Sequence, residues 1–292
     1  MRQTVIYCLL SIPLVVMLLW IYIEKWRKAK RDARREILRQ TPSSAQWLAI
    51  LQHDFALFGK LPSALQQTLL GHMHVFLEEK DIVGRNGFTV NERVKVLIAA
   101  QACLLIMNRP GDYYPGFRSI LVYPETYLAN SVRKEGLLEI NSSSIRAGES
   151  WHRGPVILAW DHVLQGARDR RDGHNVVMHE FAHKLDEENA SMDGLPILPT
   201  HTQYKAWSDV LNAEFSLLQQ KMIDGVDDVI DSYGASSPPE FFAVVTETFF
   251  EKPQQLRRLH PALYEQFKAC YMLDPITWLT EKSTEENDET IS

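Results

Sequence analysis

Residues 176–186 read VVMHEFAHKLD and contain the pattern His179-Glu180-x-x-His183. On a helix, residues four positions apart share a face, so both imidazoles can reach one metal ion with Glu180 beside them. The opposite side of the helix is apolar, which predicts that it packs into the core, and it carries Val176, Val177, Phe181 and Leu185. Because neutral imidazoles with an open coordination position suit zinc, the pattern predicts a zinc site on a buried helix.

The third metal ligand must come from another part of the chain, because the extended pattern HExxHxxGxxH is not completed here. The segment SYGASSPPEFFAVVTETFF (232–250) predicts a turn followed by a helix that begins at the proline pair. Glu240 would lie in the first turn of this helix, and Glu247 two turns further along the same face. Ser237 and Glu240 also fit a capping box, in which Glu240 only pairs with a backbone N–H. The residues alone therefore leave the third ligand open between Glu240, Glu247 and another group.

Asp186 lies three residues after His183 on the same stripe of the predicted helix. It either accepts a hydrogen bond from a ligand histidine and fixes the tautomer of that histidine, or it is a solvated carboxylate at the helix end. Four further histidines are expected to be surface or turn residues rather than ligands: His152, His162, His174 and His201.

Three separated segments resemble, in order, the Mlc titration factor A family of zinc peptidases: GESWHRGPVILAW (148–160), HEFAHKLD (179–186) and YGASSPPEFFAVVTETFF (233–250). The likeness spans about residues 45–275, and the last segment is also similar to the catalytic domain of anthrax lethal factor.

The resemblance implies one zinc ion per chain, held by three residues: His179, His183 and Glu240. It further implies that Glu180 is the general base and that Tyr233 stabilises the oxyanion. Some relatives carry an additional histidine near the metal, and the comparable position here is Glu139. Whether Glu139 or Glu247 also contacts the metal stays open.

These observations predict a membrane-anchored zinc metallopeptidase that hydrolyses a peptide or protein, without deciding between aminopeptidase and endopeptidase action. The resemblance implies an alternative, a regulatory binding protein that sequesters a transcriptional repressor and has a structural or idle zinc site. The segment GPVILAW (154–160) is either an edge strand that pairs with an extended peptide substrate or a plain core strand.

The order of the predicted elements favours an α+β class with a zincin-like peptidase domain over residues 45–275. Helical periodicity over residues 46–107 predicts an N-terminal helical part, and β-branched residues predict strands at 117–124 and 154–160. Helices are expected to return over the metal-site region and after it. The polar, acidic tail at 276–292 is expected to be disordered.

The first 44 residues are expected to form a membrane anchor (1–23) and a basic juxtamembrane linker (24–44). Residues 5–23 contain no charge, and residues 24–39 carry eight Lys and Arg against three Asp and Glu. A transmembrane helix is favoured over a signal peptide or a buried helix, because the bases follow the apolar run. The positive-inside rule then predicts a single-pass protein of the inner membrane whose catalytic domain faces the cytoplasm.

The overall composition is that of a globular chain: 292 residues, 45% hydrophobic, 23% charged and a formal net charge of −6. The three cysteines, Cys8, Cys103 and Cys270, are far apart in sequence, which excludes a disulfide framework and fits a reducing compartment. With the basic cluster near the N-terminus, the rest of the chain is strongly acidic, so nucleic acid is not an expected partner.

Overall fold

The computed structural model describes residues 2–109, 111–125, 154–198 and 200–279, with side chains from residue 15 onward. The chain divides into two compact units, residues 1–42 and 43–292. In the first unit, helix α1 runs from Arg2 to Arg39. Residues 276–279, the start of the tail predicted to be disordered, form a short helix with Trp278 and Leu279 buried. Glu139, His152 and the tail beyond residue 279 lie outside the described residues.

The predicted transmembrane anchor at residues 5–23 is wrong: no helix in the described part of the chain is both long and apolar enough to cross a membrane. Helix α1 begins at Arg2 and contains the whole uncharged run. The helix then continues through the basic cluster to Arg39. For the same reason, the predicted location as a single-pass protein of the inner membrane is wrong.

The described part of the second unit is mostly helical, and its α-helices are α2 (Ala45–Asp54), α3 (Ser63–Glu79), α4 (Glu92–Ile106), α5 (Trp160–Arg168), α6 (Val176–Asp186), α7 (His201–Asp224), α8 (Pro238–Glu251), α9 (Pro253–Leu259), α10 (Pro261–Tyr271) and α11 (Ile276–Leu279). Short 3₁₀ helices lie at Phe58–Lys60, Glu187–Asn189 and Ser232–Ser236.

Polar caps define where several of these helices begin. The Ser44 side chain accepts the N–H of Trp47 at the start of α2. Thr200 and Gln203 form a complete capping box at the start of α7, so two backbone donors that the helix leaves unpaired are satisfied. The same helix ends at Gly225, whose φ of +67° is a left-handed conformation that glycine adopts without strain.

Three short strands form a parallel sheet in the order β1 (Asp81–Gly84), β2 (Ser119–Tyr123) and β3 (Val156–Ala159). In the register, Ile82 lies opposite Ile120, which in turn lies opposite Val156. Strands β2 and β3 lie within the two segments predicted as strands, whereas β1 interrupts a region predicted as helical throughout.

The predicted fold class, an α+β zincin-like domain preceded by a transmembrane helix, is corrected accordingly. Most described residues are helical, and each of the three described strands has only four or five residues. The core is correspondingly built between helices: every residue of α4 from Val96 to Ile106 is buried, and α4 contacts α2, α3, α5 and α6. Helix α6 also packs against α8, so the helix with the histidine pattern lies inside this helical core.

Candidate metal centre

Helix α6 presents two imidazoles from one face. The helix begins at Asn175, whose side chain accepts the N–H of Met178 at 3.0 Å. Three of the four residues predicted on its apolar side are buried, Val177, Phe181 and Leu185, whereas Val176 is half-buried. Because this side is anchored in the core, His179 and His183 project together from the other side, where their side chains are 15% and 13% exposed.

Helix α8 brings a carboxylate to the same place. It begins at Ser237, whose hydroxyl accepts the N–H of Glu240 at 3.4 Å, and prolines occupy its first turn. The loop after α6 packs closely against the first turn of α8. Gly194 has a φ of +77°, and a Cβ there would lie 2.7 Å from the carbonyl oxygen of Pro238. The close packing of this loop on the start of α8 therefore requires a glycine at position 194.

The three predicted ligands meet at one point. Glu240 Oε2 lies 3.0 Å from His179 Nε2 and 3.4 Å from His183 Nε2. The two Nε2 atoms are 3.2 Å apart. In a tetrahedral zinc site with bonds of about 2.0–2.2 Å, neighbouring ligand atoms lie about 3.3–3.6 Å apart. The triangle of donor atoms is therefore close in size to one face of such a coordination sphere, and slightly smaller.

One corner of this triangle, Glu240 Oε2, is not satisfied by the described residues. Glu240 Oε2 is buried and has no partner in hydrogen-bonding geometry among the described residues, although two imidazole nitrogens lie close to it. A buried carboxylate oxygen of this kind is costly unless a cation or a donor faces it. Among the described residues, the trio of His179, His183 and Glu240 is the set of His, Cys, Asp or Glu side chains whose ligand atoms lie close enough together to hold one metal ion.

The charges of the trio are strongly coupled. Burial by itself lowers the pKa of His179, but the carboxylates of Glu240 and Glu247 outweigh it and raise that pKa to about 10. In turn, burial tends to raise the pKa of Glu240, but His179 and His183 hold that pKa well below its usual range. The site therefore favours a carboxylate next to positive charge, which an imidazolium or a metal cation supplies.

Glu247 does not share the point where the trio meets. Its side chain is 7% exposed, and its Oε1 lies 2.8 Å from His179 Nδ1, on the opposite edge of the ring from Nε2. Its second oxygen accepts the backbone N–H of Asn175. The sequence leaves Glu247 open as a metal ligand. In the structure its carboxylate instead contacts the candidate ligand His179, on the side of the ring away from the other two candidate ligands.

Asp186 is fully buried and serves the loop after α6. Its Oδ2 accepts the N–H of Gly194 at 2.9 Å, and burial raises its pKa to about 6. No hydrogen bond joins Asp186 to His179 or His183 among the described residues. The sequence leaves two roles open for Asp186, and the structure shows neither of them. Its carboxyl group is neither solvated nor hydrogen-bonded to a candidate ligand histidine.

A cleft of about 470 Å³ opens beside the trio and is lined in part by His162, His174, His179 and Tyr233. Tyr233 lies in the 3₁₀ helix before α8, where its N–H donates to Asp231 Oδ1 at 2.7 Å. Its side chain is 56% exposed, and its ring centroid is 6.1 Å from that of His179. Glu180 lies beside His179 on α6 and is half-buried. The cleft therefore opens toward His179 on the side of Tyr233.

Sequence reasoning missed two residues that build the site. Asn175 caps α6 and is fully buried, and an asparagine before an apolar helical run is a readable cap signal. Gly194 supports the start of α8, but no local signal identifies it, because its constraint comes from a segment more than forty residues later.

Two imidazoles from one helical turn and a carboxylate from a second helix, beside an open cleft, are a combination typical of metal-dependent peptidases. Comparison with known proteins agrees. The family described as glucose-regulated metallo-peptidase M90 matches residues 24–272. The chain belongs to this family, so the metallopeptidase class is established at the level of the family, and the family implies a metal.

Several curated proteins are similar over most of their length. An uncharacterized protein of Synechocystis sp., slr2042, is 38% identical over 84% of this chain and 90% of its own. Mlc titration factor A of Enterobacter sp. (strain 638) is 32% identical over 80% of this chain and 91% of its own. Mlc titration factor A of Serratia proteamaculans is 31% identical over 86% and 95%. The predicted resemblance to the Mlc titration factor A family is confirmed.

Proposed function

We propose that this chain is a zinc-dependent peptidase whose metal is held by three residues: His179, His183 and Glu240. The observation that carries the proposal is the triangle of Nε2, Nε2 and Oε2 atoms, with sides of 3.0, 3.2 and 3.4 Å. Two imidazoles and one carboxylate are a donor set that zinc accepts in catalytic sites, where the fourth position stays open to water or substrate. Membership of a metallopeptidase family supports the same conclusion.

A zinc ion bound there would supply Lewis acidity, which lowers the pKa of water and polarises a peptide carbonyl. Glu180 is proposed as the general base: its carboxylate takes a proton from the attacking water and later gives it to the leaving amine. The position of Glu180 supports this role, because it is half-buried beside His179 and its charge contributes to the raised pKa of that histidine. Both protons of the water are then accounted for, one on the amine and one on the new carboxyl group.

Tyr233 is proposed to donate its hydroxyl to the oxyanion that develops on the scissile carbonyl. Its exposed side chain at the edge of the cleft, with its ring 6.1 Å from that of His179, supports this role. An extended peptide is the proposed substrate.

The test compares the full chain with its Glu180→Gln variant. Glutamine keeps the size of the side chain but cannot take the proton, so we expect hydrolysis of fluorescein-labelled casein to fall by about 10²–10⁴-fold. Zinc content, measured by mass spectrometry, should stay the same in both. Activity that survives the substitution contradicts the mechanism, and the same change at an exposed glutamate on α10, Glu265→Gln, should leave the rate unchanged.

A second proposed role is the binding of a transcriptional regulator, motivated by relatives named Mlc titration factor A. In this role the chain sequesters its partner, and hydrolysis is not required. Purified Mlc protein is the probe: binding that is equally tight for the wild type and Glu180→Gln supports a role separate from catalysis. Binding that is undetectable at micromolar concentrations contradicts it.

A further inference from the structure

We propose that Glu247 is a positioning residue that holds the His179 ring with its Nε2 toward the metal. This inference rests on the proposed metal binding by His179, His183 and Glu240. Glu247 lies two turns after Glu240 on α8, so one helix would supply both a ligand and the support of another ligand. Its carboxylate is almost completely enclosed, at 7% exposure, and reaches the histidine at 2.8 Å.

The hydrogen-bond inventory around Glu247 defines which edge of the ring carries the hydrogen. An ionised carboxylate only accepts hydrogen bonds, so His179 Nδ1, at 2.8 Å from Oε1, must be the donor. With the hydrogen on Nδ1, the lone pair of a neutral ring is on Nε2, which faces Glu240 Oε2 at 3.0 Å. The carboxylate thus selects the tautomer that can bind a metal through Nε2.

The second oxygen of Glu247 also contacts the start of α6. Oε2 accepts the backbone N–H of Asn175, the residue that caps α6. A backbone N–H is always a donor, so neither oxygen of Glu247 can be replaced by a donor group without loss. A single buried side chain therefore holds both the ring of His179 and the start of the helix from which that ring projects.

Glu251 provides the matched control. It lies one turn after Glu247, is also buried, and accepts the side-chain N–H of Asn175 at 3.1 Å and the N–H of Gly173 at 3.0 Å. It therefore joins α8 to the same segment before α6. No hydrogen bond joins it to a histidine among the described residues. A purely structural role for Glu247 would make the two glutamates equivalent, whereas a positioning role would not.

Glutamine at position 247 cannot satisfy both donors, because its amide has one oxygen and one NH₂ group. If the NH₂ group faces His179 Nδ1, the ring must accept there and carry its hydrogen on Nε2, which blocks the metal. If it faces Asn175, two N–H groups oppose each other at the start of α6. Loss of such a partner typically weakens metal binding by about 10–100-fold.

The experiment measures the zinc Kd of the full chain and of the variants Glu247→Gln and Glu251→Gln by competition with a chelator. We expect the Kd to rise by about 10–100-fold for Glu247→Gln and by less than about threefold for Glu251→Gln. Urea unfolding of the three metal-free proteins reports the structural cost separately. An unchanged Kd for Glu247→Gln, or an equal rise in both variants, overturns the positioning role.

A spectroscopic measurement on the wild type covers the case in which Glu247→Gln does not fold. In ¹⁵N-histidine spectra of the zinc-loaded chain, His179 should carry its hydrogen on Nδ1, and a hydrogen-free Nδ1 overturns the inference. If the wild type binds no zinc, the proposed function fails and this inference fails with it. If the wild type binds zinc normally and Glu247→Gln does too, the inference alone fails.

Discussion

Zinc binding at the proposed site is expected to release a proton from His179 and therefore to strengthen as the pH rises. In the metal-free chain, burial disfavours the imidazolium, but Glu240 Oε2 at 3.0 Å and Glu247 Oε1 at 2.8 Å favour it more. They raise the pKa of His179 to about 10. Zinc needs an unprotonated Nε2, so the metal and the proton compete for one ring.

The size of the effect follows from that pKa. At pH values below the pKa of His179, each rise of one pH unit reduces competition from the proton tenfold. The apparent zinc Kd therefore falls by about tenfold per pH unit, or about 1.4 kcal/mol. From pH 6 to pH 9 the affinity should rise by about a thousandfold. A histidine with an unperturbed pKa of about 6.5 would give almost no change above pH 7.5, so the alkaline range distinguishes the two cases.

Isothermal titration calorimetry in two buffers with different ionisation enthalpies counts the protons released on zinc binding. At pH 8 we expect about one proton per zinc for the wild type. His162→Gln is the matched control, because His162 lines the cleft but is not part of the trio, and it should release the same number. Zero proton release at pH 8, with a Kd that is flat above pH 7.5, would refute the reasoning.

Three further predictions concern catalysis and stability. Tyr233→Phe should lower kcat on labelled casein by about 10²-fold with zinc content unchanged, and an unchanged kcat would exclude the oxyanion role. Gly194→Ala should destabilise the metal-free chain by about 2 kcal/mol in urea unfolding, because its φ of +77° and the carbonyl 2.7 Å away exclude a Cβ; an equal midpoint would contradict this. His260→Leu should cost about 3 kcal/mol, because it leaves the carboxylates of Glu214 and Asp228 without the imidazole between them. Burial opposes the charged form of His260, but the same carboxylates raise its pKa, so the cost should be largest below about pH 6.5 and shrink as the pH rises through the raised value; a cost that grows with pH would refute this assignment.

The parts of the site that depend on local geometry were predictable from the sequence. His179 and His183 share a face because they are four residues apart on a helix, and the buried apolar residues of α6 orient that face. The start of α8 was likewise predictable from Ser237 and the prolines that follow it. Both features arise from contacts within a few residues, which a sequence pattern records directly.

The choice between Glu240 and Glu247 was not predictable from the helix pattern, because residues seven apart lie on nearly the same face. The way α8 packs on α6 brings Glu240 to the Nε2 edge of His179 and Glu247 to the Nδ1 edge, and this arrangement is the basis for proposing Glu240 as the ligand. Strand β1 was missed for a related reason. It has four residues, too few to show a period of two, and it is defined by its pairing with β2.

The central claim is that one divalent metal ion is held by His179, His183 and Glu240, and its most direct test is metal content. The full chain is equilibrated with zinc, freed of unbound metal by gel filtration and analysed by mass spectrometry, beside its His183→Ala variant. We expect about one zinc per chain in the wild type and almost none in the variant. A wild type without zinc, or a variant that retains it fully, would contradict the claim.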